Sequence, residues 1–563
     1  MTALLSSLKA IVGDRYLLTT KAQTARFCKG FRFGEGPVLA VVRPGSLVEQ
    51  WRVLKVCHQA GVIMIPQAAN TGLTGGSTPD GSDYDRPIVI INTMRMAKLH
   101  LIEEGRQVIC LPGVSLFQLE RALRSLGREP HSVIGSSCLG ASVFGGVANN
   151  SGGALIRRGP AFTQLSLYAR VNEANEVELI NHLGVRLGDD PEAMLTRLEA
   201  GTFTRDDIEH PTDRVASDPD YALHVRDIEA PTASRFNADP RRLYESSGSA
   251  GKVMMFAVRL DTFPMDAQSV VFYIGTNQPD ELTQIRRHIL GRFKDLPVAG
   301  EYIHRDAFNI AEIYGKDVFL AIEKLGTDRL PGLFALKARV DAWAERVKYL
   351  PRYPSDRLMQ WASRWFPQHL PQRMLAYRDK YEHHLLLKMT DDGIAEARTY
   401  LRGLFPSATG DFFECTAQEG RKAFLHRFAV AGAAVRYRAM HRQDVSDIVA
   451  LDIALRRNEP QWVEHLPEAI ESKLLHKLYY GHFFCHVFHQ DYVVAKEADP
   501  LAVEHEMWRL LDQRGAEYPA EHNVGHLYAA KPDLAAHYRA LDPCNCFNPG
   551  IGKTSRLFCW EAN

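Results

Sequence analysis

Short apolar runs separated by turn residues recur through the first quarter of the chain and alternate with stretches of helical spacing. Val38 to Arg43 reads as a strand ending in Pro44-Gly45-Ser46, and Leu47 to Gly61 places Leu47, Trp51, Leu54 and Val56 at helical intervals. Two uninterrupted apolar runs, Val62 to Ile65 and Ile88 to Asn92, read as strands. A further strand runs to Leu111, before a helix from Leu116 to Leu126 that closes at Gly127. Gly251 to Phe263 is another strand, and Phe272 to Leu325 mixes the two periods. From Glu173 to Asp239 the apolar pattern gives way to Asp, Glu and Arg, which predicts a surface insertion carrying some helix.

Two glycine-rich tracts interrupt this pattern. The loop between the strands at 62–65 and 88–92 reads PQAANTGLTGGST from Pro66 to Thr78. Gly72, Gly75 and Gly76 remove Cβ atoms where a ligand would approach the backbone, and Asn70, Thr71, Thr74 and Ser77 add side-chain donors. Free N–H groups in such a loop can cradle a pyrophosphate, although the same composition suits a ligand-free hairpin loop. The second tract, Gly135 to Gly153, is too apolar for a flexible linker and too rich in glycine for an ordinary helix, so something must lie against its backbone. No strand runs into G-x-G-x-x-G and a helix. Gly552-Lys553-Thr554 imitates the end of a P-loop, but Phe547 stands where its first glycine belongs.

Composition narrows the partners. The 563 residues allow two or three domains, and 67 basic against 67 acidic residues give no whole-molecule attraction for nucleic acid. Nine cysteines without a Cys-x-x-Cys fit a reduced, cytoplasm-facing protein. The first residues, with Lys9, Asp14 and Arg15 among apolar neighbours, read as an ordinary amphipathic helix, and no apolar run is long enough to span a bilayer. Residues 331–380 differ from the rest: ten Lys or Arg against four Asp or Glu, with Trp343, Trp361 and Trp365 among the seven tryptophans. Leu358, Trp361 and Trp365 fall on one helical face flanked by Arg357 and Arg364, which suits an anionic bilayer surface or, alternatively, a charged interdomain helix pair. In the aromatic stretch Tyr480 to His489, a strand pair would let His482 and His489 converge on one ion; the competing reading is two core histidines satisfied by hydrogen bonds.

Taken together, the loop at 66–78, the Thr93-Met94-Arg95-Met96 turn, Pro112-Gly113, the second glycine tract and Ser247 to Val253 resemble the FAD-binding domain of the vanillyl-alcohol oxidase and p-cresol methylhydroxylase (PCMH) superfamily. The likeness runs nearly end to end and is greatest to the D-2-hydroxy-acid branch, in particular the bacterial respiratory D-lactate dehydrogenases that reduce quinone. It implies an α/β (α+β) chain with a PCMH-type FAD-binding domain (1–265), a substrate cap in two parts (266–330 and 381–510), a basic membrane-contact segment (331–380) and a C-terminal return to the FAD domain (511–563). It also implies that Ala68, Ala69, Asn70, Thr71, Gly72, Gly75, Gly76 and Ser77 hold the pyrophosphate. Gly135, Ser142, Gly145, Gly146, Asn149 and Gly152 would line the flavin, with Val253 and Met255 near the adenine. In that branch a His-x6-His pair and a Glu-His pair build a divalent-metal site, matched here by His482, His489 and Glu521-His522. The chain departs from the branch at Ala520 and Asn523, where glycine is usual.

The reaction implied is oxidation of D-lactate to pyruvate, with electrons passed to membrane quinone on the cytoplasmic face of the bacterial inner membrane, the protein held peripherally. Such chemistry needs a base, a hydride sink and a cationic clamp: His522 as general base, FAD as sink, and Arg427 or Arg436 for the carboxylate. Alternatives are a dehydrogenase for a larger D-2-hydroxy acid such as 2-hydroxyglutarate, a metal-dependent hydrolase using the histidines, and an inactive flavoprotein scaffold.

Overall fold

In a computed structural model, residues 1–131, 140–326 and 354–560 are described. Gly135 and Trp343 lie outside them. Strands β1 (Leu17–Leu18), β2 (Ala40–Val42), β3 (Ile63–Gln67) and β4 (Ile88–Asn92) form a sheet in the order β1-β2-β4-β3, in which β2 and β3 both run parallel to β4. β2 and β4 are apolar without alternation because both faces are covered. The crossover helix Leu47–Gln59 starts at Ser46, whose hydroxyl accepts from the Glu49 amide at 3.1 Å. The N-terminal helix Thr2–Val12 packs Leu4, Leu8 and Val12 into the same core.

An antiparallel sheet follows, built from β5 (Leu99–Ile102), β6 (Gln107–Cys110), β7 (Arg128–Pro130), β8 (Ser166–Val171), β9 (Val177–Asn181) and β10 (Met254–Pro264). The expected surface insertion at Glu173 to Asp239 is corrected here. It supplies β9 and the helices Pro191–Ala200 and Tyr221–Arg226, and it buries Leu183, Val185, Leu195, Leu198 and Tyr221. Its buried apolar positions are spaced too sparsely to show as a stripe.

The third sheet has seven antiparallel strands in the order β14-β11-β13-β12-β16-β17-β15, comprising β11 (Ser269–Thr276), β12 (Ala299–His304), β13 (His383–Thr390), β14 (Gly410–Glu414), β15 (Val445–Ala454), β16 (Leu474–His482) and β17 (Val487–Ala495). One face packs against the helices Arg305–Tyr314 and Ala417–Met440, the latter opened by a Thr416/Glu419 capping box. The C-terminus returns to the first sheet: the Asn548 amide donates to Met64 O at 3.0 Å, and Phe547 bridges Met64. Within 331–380, the described helix Pro354–Ser363 and the turn after it expose Arg357, Leu358, Trp361, Arg364 and Trp365. Among the described residues no helix is long and apolar enough to cross a membrane.

Candidate active site

Strand periodicity gathers the chemistry. In the β16–β17 hairpin Tyr480 pairs with His489, so Tyr480, His482, His489 and Asp491 share one face; neighbouring registers add Glu301 opposite His482 and Asp452 opposite His489. The predicted strand pair is therefore present, closed by a tight turn in which His486 takes a left-handed φ of 52°.

The two histidines meet head to head, with Nε2 atoms 3.4 Å apart, and Glu521 Oε2 lies 3.2 Å from His482 Nε2 and 3.7 Å from His489 Nε2. These edges match the ligand spacing of a tetrahedral ion with bonds of about 2.0–2.1 Å. The other ring nitrogens face carboxylates: His482 Nδ1 is 2.6 Å from Glu301 Oε1, and His489 Nδ1 is 3.4 Å from Asp452 Oδ1. Carboxylates at that position fix tautomer and ring orientation in histidines that ligate metals, so the residues fit a divalent ion. Burial lowers the His482 pKa, but Glu301 and Glu521 outweigh it and lift the group to about 9. Burial raises Glu521, but His482 and Arg235 outweigh it and hold the carboxylate ionised.

His522 projects from the adjoining loop. Its Nδ1 lies 2.7 Å from Asp452 Oδ2, and the same carboxylate oxygen accepts the amides of Glu521 at 2.7 Å and His522 at 3.0 Å. Asp452 is thus consumed in fixing this turn and the ring on it. Burial lowers the His522 pKa, but the Asp452 charge and hydrogen bond outweigh it, leaving a more basic imidazole.

The glycine tracts converge on this turn. A Cβ at Gly76 would meet the Asn523 amide at 2.5 Å, and one at Gly152 would meet Glu521 Oε1 at 2.5 Å. Asn523 Nδ2 donates to Asn149 Oδ1 at 2.6 Å, and the His526 amide donates to Thr74 O at 2.9 Å. Asparagine at 523, where the related branch has glycine, is therefore used to tie the two tracts together.

Among the described residues, none of the backbone amides from Ala68 to Ser77 donates to a protein acceptor. Gly72 faces open space, and the loop is pinned from behind by Asn70 Nδ2 on Lys29 O at 2.9 Å and Ser77 Oγ on Asn70 Oδ1 at 3.0 Å. That run of unused donors on a fixed backbone fits a pyrophosphate. Gly75, however, has a different reason for being glycine. At φ 77°, its Cβ would lie 2.6 Å from the Phe33 carbonyl oxygen, so it serves the packing of the neighbouring 30–34 loop. In the second tract Ser142 caps the short helix Val143–Ala148, accepting from Gly145 N at 3.0 Å, and Gly146 is buried within it. Val253 and Met255 are buried beside that helix, and Met255 O accepts from Gln50 Nε2 at 2.9 Å.

The clamp assignments are corrected. Arg427 is buried with its Nη2 2.9 Å from Glu301 Oε2, and its guanidinium lies 4.6 Å from the Tyr480 ring centroid. Arg436 is spent on Asp317 at 2.9 Å and Asp356 at 2.8 Å. Both neutralise buried carboxylates and neither lines the site's cavity. That cavity, about 120 Å³, is walled by Leu73 and Thr74 of the glycine loop, by Ala431 and Val435 of the long helix, and by Asp452, His489 and His522. Sequence reasoning missed Asp452, Glu301 and Arg235. The first two carried a signal, a lone acid inside an apolar strand (Val-Ala-Leu-Asp-Ile-Ala, and Glu301 before Tyr-Ile). Arg235, which pairs with Glu521 at 2.6 Å, lay unmarked in the polar stretch.

Comparisons with known proteins agree with this construction. The family described as "D-lactate dehydrogenase, membrane binding" matches residues 271–560, and the "FAD binding domain" family matches residues 38–175. The quinone-dependent D-lactate dehydrogenase of Escherichia coli K12 is 60% identical over 99% of this chain and 98% of its own, and that of Haemophilus influenzae is 56% identical over 99% of both. The solved structure of p-cresol methylhydroxylase with substrate bound overlays with a TM-score of 0.56 at 12% identity, covering 98% of this chain and 97% of its own, which shows a shared PCMH-type fold. The chain belongs to the family of quinone-dependent D-lactate dehydrogenases, FAD enzymes with a membrane-binding part.

Proposed function

We propose that the chain oxidises D-lactate to pyruvate and passes the electrons to a quinone dissolved in the bilayer, working from the cytoplasmic face of the bacterial inner membrane. The observation that carries this reading is that His522, oriented by Asp452, and His489 of the metal-type cluster line one small cavity together with Leu73 and Thr74 of the glycine loop. With Nδ1–H donating to Asp452, the Nε2 lone pair of His522 is left to take the substrate hydroxyl proton. Bound FAD supplies the acceptor for the Cα hydride; the residues proposed to hold it are the amides of the 68–77 loop, the Ser142 to Gly152 tract and the Val253–Met255 strand. His482, His489 and Glu521 would hold a divalent ion that lowers the pKa of the substrate hydroxyl.

The proposed partition is a FAD domain at 1–265 rejoined by 511–563, a cap at 266–330 and 381–510, and a membrane-contact segment at 331–380. Exposed Trp361 and Trp365 beside Arg357 and Arg364 support the last, because indole rings favour the bilayer interface and guanidinium groups favour anionic lipid. The reading is tested by anaerobic titration of the purified flavoprotein. D-lactate should bleach the flavin absorbance, while L-lactate and D-2-hydroxyglutarate should do so far more slowly. A spectrum unmoved by D-lactate would overturn it.

A further inference from the structure

We infer that Arg32 is the cation that seats the substrate carboxylate, an inference that rests on the cavity being the site of a 2-hydroxy acid. A 2-hydroxy acid enters as an anion, and with Arg427 and Arg436 committed to Glu301 and to Asp317 and Asp356, the cavity needs another positive group. Among the described residues that line it, Arg32 is the only Lys or Arg. Among the described residues its guanidinium makes no ion pair or hydrogen bond, whereas the nearby buried cations are taken, Arg235 by Glu521 and by the carbonyls of Gly153 and Leu155.

Its placement is built. Arg32 rides a tight loop in which the Gly30 amide donates to Gly34 O at 2.8 Å, and this loop is pressed onto Gly75 through the Phe33 carbonyl. The segment carrying the guanidinium is thus registered against the loop proposed to hold the cofactor. An exposed arginine with a planar fork of donors, lining the same cavity as His522, is placed to grip a carboxylate bidentately while the hydroxyl faces the imidazole.

Three carboxyls share the cavity and, if all were ionised and unpaired, would repel an anion. Asp452 is tied to His522, His489 and two amides; Asp491 accepts from Tyr480 Oη at 2.8 Å inside the sheet; Glu504 is largely buried. Burial pushes the Glu504 carboxyl up to about 7, toward the neutral form that tolerates an anionic ligand.

The test uses the FAD-loaded full chain and reads the apparent Kd and limiting rate of flavin reduction from anaerobic stopped-flow traces with D-lactate and with the uncharged analogue D-lactamide. Arg32→Met should raise the Kd for D-lactate about 10–100-fold with a smaller change in limiting rate. It should leave D-lactamide nearly unaffected, erasing the parent's discrimination, and Arg32→Lys should recover part of it. If Arg32 only neutralised Glu504, Arg32→Met/Glu504→Gln would regain the parent Kd, which overturns the clamp. An Arg32→Met enzyme with the parent's Kd and discrimination overturns it too. In either case bleaching of the parent by D-lactate leaves the proposed activity standing; a parent that D-lactate does not bleach removes both.

Discussion

Glu301→Gln isolates what the buried carboxylate in β12 does. Glu301 has no exposed side-chain surface, Arg427 is 5% exposed, and their charged atoms lie 2.9 Å apart. On its other oxygen Glu301 holds His482 Nδ1 at 2.6 Å. Neutralising the acid leaves a guanidinium buried without a counter-charge, a loss of about 3–5 kcal/mol, or roughly 6–20 °C in Tm for a unit of 150–250 residues. It also removes the anionic acceptor behind His482, which in a histidine that ligates metal lowers metal affinity by about 10–100-fold. Thermal unfolding followed by near-UV circular dichroism reads the first effect, and titration of apoprotein with a divalent metal reads the second. The double variant Glu301→Gln/Arg427→Met, which removes both charges, should recover most of the lost Tm. The reasoning fails if Arg427→Met alone leaves Tm unchanged but raises the Kd for D-lactate about as much as Arg32→Met does. Arg427 would then grip substrate and not Glu301.

Other variants address the remaining links. His522→Ala should keep its flavin and lose about two to four orders of magnitude in the rate of reduction by D-lactate; reduction at the parent rate would remove the base from the mechanism. Gly75→Val should yield protein with little bound flavin, since at φ 77° its side chain collides with the Phe33 carbonyl and displaces the loop; a fully yellow variant would contradict the packing. Arg357→Glu with Arg364→Glu should weaken binding to anionic vesicles and quinone reduction together, each lost cation contributing about 1 kcal/mol, while reduction of a soluble dye stays near the parent rate. Glu419 is held down to about 2 chiefly by its hydrogen bond to Arg373, with the Thr416 cap adding to it. Its folded pKa lies below the ordinary carboxylate value of 4.5, so its contribution, about 1 kcal/mol after solvent screening, is complete above about pH 4.5 and lost as pH falls through 2. The Tm gap between parent and Glu419→Gln should accordingly be open near neutrality and narrow at about pH 3; a gap independent of pH would refute this.

How far the sequence could be read depends on what each residue answers to. The β2 to β4 unit was legible because strands buried on both faces are apolar throughout, and the helix between them has a serine cap and a clean stripe. The His482–His489 convergence was legible because a two-residue strand period and one tight turn fix which side chains share a face. The clamp was not legible. Arg427 and Arg436 occur in a helix beside the chemistry, and nothing local tells a guanidinium aimed at substrate from one consumed by a carboxylate more than a hundred residues away. Arg427 answers to Glu301 and Arg436 to Asp317, pairings that exist only after the cap sheet has closed. The function of Gly75 was hidden in the same way, since its constraint is a carbonyl contributed by residue 33.

Arg436 is more informative as a strut than it would have been as a clamp. It belongs to the helix Ala417–Met440, whose residues Ala431, Ala434 and Val435 wall the cavity. Its Nη2 reaches Asp317 in the helix Lys316–Leu325, and its Nε reaches Asp356 in the helix Pro354–Ser363, which exposes Trp361. All three groups are nearly inaccessible, so separating any of them strands a charge in a low-dielectric interior at a cost of several kcal/mol. The tryptophan-bearing helix and the cavity wall are therefore held in one rigid relation. If the helix Pro354–Ser363 docks on the bilayer as proposed, that relation would also set where the substrate cavity sits with respect to the lipid surface. The Arg436 triad would then tie the proposed dock to the cavity wall through two buried ion pairs.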